Sequence, residues 1–227
     1  EIAEIRAFAL EIATFLEALG VKLIVIACNS ATSAGLLEVQ RRCRVPVLGV
    51  VEPGARGAVR ATHNRRIGVI GTTATIHSRA YLKAIHALDA GARVHSRACP
   101  TLVEFVERGE VRGPRVEAEV RRYLSPLIRR DVDTLVLGCT HYPLIQEVIG
   151  EVMGEEVGLI SSDQEVAREV EENLVRRGYL RRSSRPPTYR FLCSGSVEQA
   201  VRLGQLFLGP EVKEVEKVDL PLRGGEA

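Results

Sequence analysis

Leu23-Ile24-Val25-Ile26-Ala27-Cys28-Asn29 and Thr134-Leu135-Val136-Leu137-Gly138-Cys139-Thr140 are two stretches built on one plan. Each reads as an apolar strand, then a small residue, a cysteine and a polar residue able to cap the next helix. Around them the pattern alternates between helix and strand. Ile2, Ile5, Ala9, Ile12, Leu16 and Leu19 recur at helical spacing before a stop at Gly20 and a strand from Val21 to Ala27. That first helix has no capping residue before it, and a helix feeding a strand in an α/β protein normally follows another strand. A front segment is therefore expected upstream of Glu1.

Downstream, helices are predicted over Ala31 to Arg42, from Pro53, and over Ser78 to Leu88, Thr101 to Arg108 and Pro114 to Arg130. Others follow over Leu144 to Val152, from a Ser162-x-x-Glu165 capping box to Arg177, and over Val197 to Phe207. Strands are predicted over Val45 to Val51, Ile67 to Ile70, Arg93 to Ala98, Thr134 to Leu137, Val157 to Ile160 and Tyr189 to Leu192. Such regular alternation implies parallel sheets covered by helices, with ligands at the carboxyl ends of the strands.

Composition narrows the function. With 45% hydrophobic residues among 227, the chain can bury a core. A net charge of +2, scattered basic residues, no tryptophan and five phenylalanines give nucleic acid little to bind. The longest uncharged stretch, Leu23 to Leu37, is too short to cross a bilayer. Five cysteines without a Cys-x-x-Cys pair fit neither a disulfide framework nor a cysteine-rich zinc site.

A cysteine at a strand's carboxyl end beside a helix N-terminus is expected to have a lowered thiol pKa. A buried structural cysteine would explain either stretch alone. Two matching stretches suit a more demanding chemistry: inversion at an acidic carbon, with one thiolate removing a proton and an opposing thiol delivering one to the other face.

Ala27-Cys28-Asn29-Ser30-Ala31 and Gly138-Cys139-Thr140-His141-Tyr142-Pro143-Leu144 resemble the paired signatures of cofactor-independent glutamate racemases, within the aspartate/glutamate racemase superfamily. The likeness covers the chain to about Phe207. It implies that Cys28 is the base for the D-enantiomer and Cys139 for the L-enantiomer. It also implies that Asn29, Ser30, Thr140 and His141 bind substrate, as helix N-termini bind carboxylates. Thr72 and Thr75 match the family's threonines near the substrate, and Glu107 matches the acidic residue that assists His141. Read without the family, Gly71-Thr72-Thr73 is an ordinary cap and Glu107 a solvated helix residue. Ser30 stands where the family usually has threonine, and the family's Asp-Ser-Gly and Pro-Tyr-Gly stretches are expected upstream of Glu1.

The expected fold is α/β: two similar lobes, each a parallel sheet flanked by helices, with the active site in the cleft between them. Residues 1–52 and 161–227 form the first lobe, and 53–160 the second, inserted one. The implied reaction is interconversion of L- and D-glutamate for peptidoglycan, without pyridoxal phosphate or metal, in a cytoplasmic homodimer. Three rivals stand beside it: a sister racemase for aspartate or another amino acid, a cysteine hydrolase or transferase with one nucleophile, and an inactive ligand-binding module.

Overall fold

The structure, a computed structural model, describes residues 2–220. The chain opens with α1 (Ile2–Ala18), β1 (Ile24–Ile26), α2 (Asn29–Arg42) and β2 (Val47–Gly49). Then come α3 (Val51–Ala61), β3 (Arg66–Gly71), α4 (Thr73–His77), α5 (Ala80–Leu88), β4 (Arg93–Ala98), α6 (Thr101–Glu107) and α7 (Pro114–Ile128). Next are β5 (Thr134–Gly138), a 3-10 turn (Tyr142–Ile145), α8 (Gln146–Met153), β6 (Gly158–Ile160) and α9 (Asp163–Arg176). Last come β7 (Leu192–Cys193), α10 (Val197–Leu208) and β8 (Glu216–Lys217).

The strands form three parallel sheets: β1-β2, β4-β3-β5-β6 and β7-β8. The four-stranded sheet is covered on both faces, so β5 is buried along its whole length. Leu135, Leu137 and Ile70 pack with Leu102, Val106, Val120, Leu124 and Ile149 from α6, α7 and α8. Ile67, Val69 and Val136 pack on the other side with Ala55, Ala58, Tyr81 and Ile85 from α3 and α5. A separate core joins α1 and α2 to β1 and β2 through Ala13, Val39, Ile24 and Val47. α7 shows why these segments are helical: Pro114 sits in its first turn, and Val116, Val120, Tyr123, Leu124 and Leu127 make one apolar stripe.

Several local readings are corrected. The first two strands contract to Ile24–Ile26 and Val47–Gly49, because among the described residues they pair only with each other, over three residues. The helix expected from Pro53 begins at Val51, with Pro53 in its first turn. The helix expected from Ser78 begins at Ala80, after Arg79 in the left-handed region at φ 56, and the short α4 before it was not expected. The capping box at Ser162 does not form: Ser162 makes no side-chain cap, and Glu165 pairs with Arg60 at 2.6 Å. The last strand shifts from Tyr189–Leu192 to Leu192–Cys193, and its partner β8 carries no apolar pattern to announce it.

Candidate active site

Register builds the site. β3 pairs Gly71 with Ala98 of β4 on one side and with Gly138 of β5 on the other, so three strands end at one level. The turns that leave them carry Thr72, Cys99 and Cys139. Gly138 admits no side chain, since a Cβ there would stand 2.6 Å from the carbonyl oxygen of Ile70. β1 of the neighbouring sheet ends two residues before Cys28.

Cys28 is exposed and occupies the N-cap position of α2, its carbonyl accepting the first helical hydrogen bond from Thr32 N–H at 2.9 Å. Asn29, expected as the cap, is instead the first residue of the helix. Cys139 is buried, 6% exposed. Burial is the largest influence on its thiol and pushes it up to about 11; a Cys28 thiolate and Glu107 push the same way. Backbone N–H groups of His141 and Tyr142 pull downward and are outweighed. The expectation of a lowered thiol pKa is thus reversed at Cys139, because water excluded from a thiolate costs more than two N–H groups return. Tyr81 links the two cysteine turns: its hydroxyl reaches Asn29, next to Cys28, and its ring lies against Gly138, next to Cys139.

Ser30 Oγ lies 2.7 Å from Thr72 Oγ1 and 3.2 Å from Thr75 Oγ1, and the two threonine hydroxyls are 3.2 Å apart. Thr72 also caps α4 by accepting from Thr75 N–H. Three hydroxyls from the first turns of α2 and α4 therefore meet at one point. On the other side, His141 Nδ1 lies 3.7 Å from Cys139 Sγ and its Nε2 3.3 Å from Glu107 Oε1, joining α6 to the turn after β5. Thr140 is exposed, with its hydroxyl 3.4 Å from the same Nδ1.

A carboxylate only accepts, so a neutral His141 bonded to it would carry its proton on the nitrogen facing Glu107 and offer the Nδ1 lone pair to the Cys139 thiol. The arrangement can therefore take a proton from Cys139 and return it.

Sequence reasoning missed the supports. Tyr142 donates to the carbonyl of Cys99 at 2.9 Å, tying the turn after β4 to the turn after β5. Cys99 itself is fully buried, and burial pushes its thiol up to about 12. Phe207 meets His141 edge-on at 5.0 Å, and Arg202 donates to the carbonyl of Glu107 at 2.7 Å, so α10 braces the imidazole and its carboxylate. Tyr81 donates to Asn29 Oδ1 at 2.7 Å. A phenol in an aromatic-poor chain was a usable signal, since a buried tyrosine hydroxyl needs a partner. Among the described residues, no three His, Cys, Asp or Glu side chains converge as a metal site would require. No described helix is long and apolar enough to cross a membrane.

Known proteins resemble this chain along most of its length. It is 49% identical over 215 residues to a glutamate racemase from Parafrankia sp., covering 94% of this chain and 78% of the relative. The crystal structure of a glutamate racemase isoform from Bacillus anthracis superposes with a TM-score of 0.90 at 40% identity, over 98% of this chain and 82% of that one. The glutamate racemase from Francisella tularensis, solved in complex with D-glutamate, also gives 0.90, at 32% identity over 98% and 83%. The model for Asp/Glu/hydantoin racemases matches residues 2–170, and by that match the chain belongs to this family.

Proposed function

We propose that this protein interconverts L- and D-glutamate without a cofactor, with Cys28 and Cys139 as the two acid–base groups. A thiolate takes the α-proton, and the electron pair left on carbon is held by the adjacent carboxylate as an ene-diolate. The opposite thiol then gives its proton to the other face. The cysteines end each turnover with exchanged protonation states, and the reverse reaction begins from that exchanged state. The observation that carries this reading is the meeting of the two cysteine turns from separate parallel sheets, with Tyr81 bonded to Asn29 beside Cys28 and packed on Gly138 beside Cys139.

The buried, high-pKa thiol of Cys139 is a proton donor at neutral pH, which suits the direction in which Cys28 is the base. For the reverse direction Cys139 must lose its proton, and the contacts of His141 with Cys139 and Glu107 support the imidazole as its acceptor. Asn29, Ser30, Thr72, Thr75, Thr140 and His141 are read as the groups that hold the substrate. The meeting of Ser30, Thr72 and Thr75 at helix N-termini supports this for the hydroxyls, and the Francisella relative's complex with D-glutamate supports glutamate as the ligand.

The cleft is read as lying between residues 1–52 with 161–227, of which residues 1 and 221–227 lie outside the described residues, and residues 53–160. Packing between the two crossings supports that division: a Cβ on Gly54 would stand 3.5 Å from Ser162 Cβ. The product would supply D-glutamate for peptidoglycan. Five free cysteines suit a reducing cytoplasm. A homodimer completes the reading, with sedimentation velocity as its check.

Turnover in deuterated water tests the reaction. Starting from either enantiomer, the opposite one should appear carrying deuterium at the α-carbon, and Cys28→Ala or Cys139→Ala should abolish its appearance. Absence of both inversion and deuterium incorporation with glutamate, or substantial racemisation by either variant, overturns the proposal.

A further inference from the structure

Tyr81 lies in α5, outside both cysteine stretches, and is 2% exposed. Its hydroxyl crosses to the N-terminus of α2 and donates to Asn29 Oδ1 at 2.7 Å. Two glycines make the slot it fills. A Cβ on Gly54 would stand 2.9 Å from the hydroxyl and 3.1 Å from Cε1, and a Cβ on Gly138 would stand 3.2 Å from Cε2. One side chain thus touches the residue after Cys28 and packs on the residue before Cys139.

The direction of that hydrogen bond matters. Burial, with a smaller contribution from Cys139, raises the phenol's pKa, so the hydroxyl keeps its proton and donates throughout the neutral range. A carboxamide has one acceptor oxygen and one donor nitrogen. With Oδ1 committed to Tyr81, the Nδ2 end of Asn29 is the end left for a ligand. A flipped amide would present an oxygen, which repels a carboxylate. Asn29 is itself 3% exposed, so no bulk water compensates for the wrong orientation.

We infer that Tyr81 is a positioning residue: it holds the Asn29 carboxamide with its donor end toward a substrate carboxylate and keeps the two cysteine turns in register. This rests on the racemase reading above.

A double-mutant cycle on glutamate racemisation tests it. Tyr81→Phe keeps the ring and removes the donor, and it should lower kcat/KM about tenfold, the size of one lost orienting hydrogen bond. Asn29→Ala should cost at least as much, and adding Tyr81→Phe to it should cost less than twofold more, because the orientation is already gone. Asn29→Asp should be worse than Asn29→Ala, since it keeps the bond from Tyr81 but turns an anionic oxygen to the substrate. A wild type that does not racemise glutamate overturns the functional reading. An active wild type with additive losses for Tyr81→Phe and Asn29→Ala overturns the role of Tyr81 alone. Should Tyr81→Phe fail to fold, the wild type still decides: in isotope-labelled protein, added D-glutamate should shift the Asn29 side-chain amide signals, and unmoved signals overturn the inference.

Discussion

Glu107 Oε1 stands 3.3 Å from His141 Nε2, on the opposite edge of the imidazole from the nitrogen that faces Cys139. The pair fixes which ring nitrogen is protonated, and so which one can accept from a thiol. The chain order of the parts is α6, then the turn after β5, with α10 closing over both through Arg202 and Phe207.

His141→Asn should reduce kcat by about 10² where Cys139 is the base, the L-to-D direction, and less in the other. Glu107→Gln should act in the same sense, by about tenfold. Two enantiomers have an equilibrium constant of unity, so kcat/KM must fall equally in both directions for every variant. The asymmetry can therefore appear only in kcat and KM taken separately. Steady-state kinetics from both enantiomers checks this; equal kcat losses would assign His141 to binding alone.

Alkylation should separate the two strand-end thiols proposed as the acid–base pair. Cys28 is exposed, whereas Cys139 is buried with its thiol pushed up to about 11. Below that value the thiolate fraction of Cys139 rises tenfold per pH unit, and its reaction with iodoacetamide should rise in step. Peptide mapping after brief treatment should find Cys28 modified first, with Cys139 catching up only in strongly alkaline solution. Early modification of Cys139 near neutrality would contradict the burial argument.

Gly138→Ala should be severe. Its Cβ would meet backbone, the Ile70 carbonyl at 2.6 Å, as well as the Tyr81 ring at 3.2 Å. Backbone cannot swing aside as a side-chain tip can, so β5 would have to move away from β3 beside Cys139. The expected cost is about 2–4 kcal/mol, or roughly 4–16 °C in Tm for a chain of this size. Activity should fall further than stability alone explains, because Cys139 moves with the strand. Thermal unfolding and turnover measured together check this.

Asp133 should carry an acid-dependent share of stability. Its carboxylate accepts from Thr62 Oγ1 at 2.6 Å and from the N–H groups of His63 and Asn64 at 2.7 Å each, closing the turn from α3 into β3. Burial raises its pKa, but these bonds, with Thr134, outweigh it and hold the carboxyl below its ordinary value. A depressed folded pKa stabilises the native state above the unfolded value, near ~3.9, and that share is lost as pH falls through the folded pKa. Asp133→Ala should cost about 1–2 kcal/mol at neutral pH, the low end for a capping carboxylate because two of its donors are exposed. The Tm gap from wild type should narrow toward pH 3, and a gap independent of pH would refute the linkage.

Much of this architecture is legible in the sequence, for reasons that differ by element. β5 and β3 announce themselves because strands buried on both faces need unbroken apolar runs. α7 does so because one face of it must be apolar at helical spacing. The cysteine turns are legible because the same small-residue and cysteine order appears twice. What escapes is what depends on distant packing. Glu165 reads as a cap until Arg60 is seen beside it. Cys139 reads as activated by a helix terminus until its burial is seen to dominate. Tyr81, Phe207 and Arg202 lie in helices whose pattern says only that one side faces inward, and nothing local tells which residue each will touch.

Ser30, Thr72 and Thr75 already satisfy one another across the meeting point of α2 and α4. A carboxylate arriving among them would have to displace hydrogen bonds that the hydroxyls already make to one another, which offsets part of what its new, charge-assisted bonds return. Such an offset would loosen the site's grip on a bound ground state. A loosely gripped ground state does not deepen the well from which the reaction must climb. Under the proposed racemase reading, the hydroxyl cluster would favour throughput over tight binding, letting glutamate of either hand enter and the opposite hand leave with similar ease.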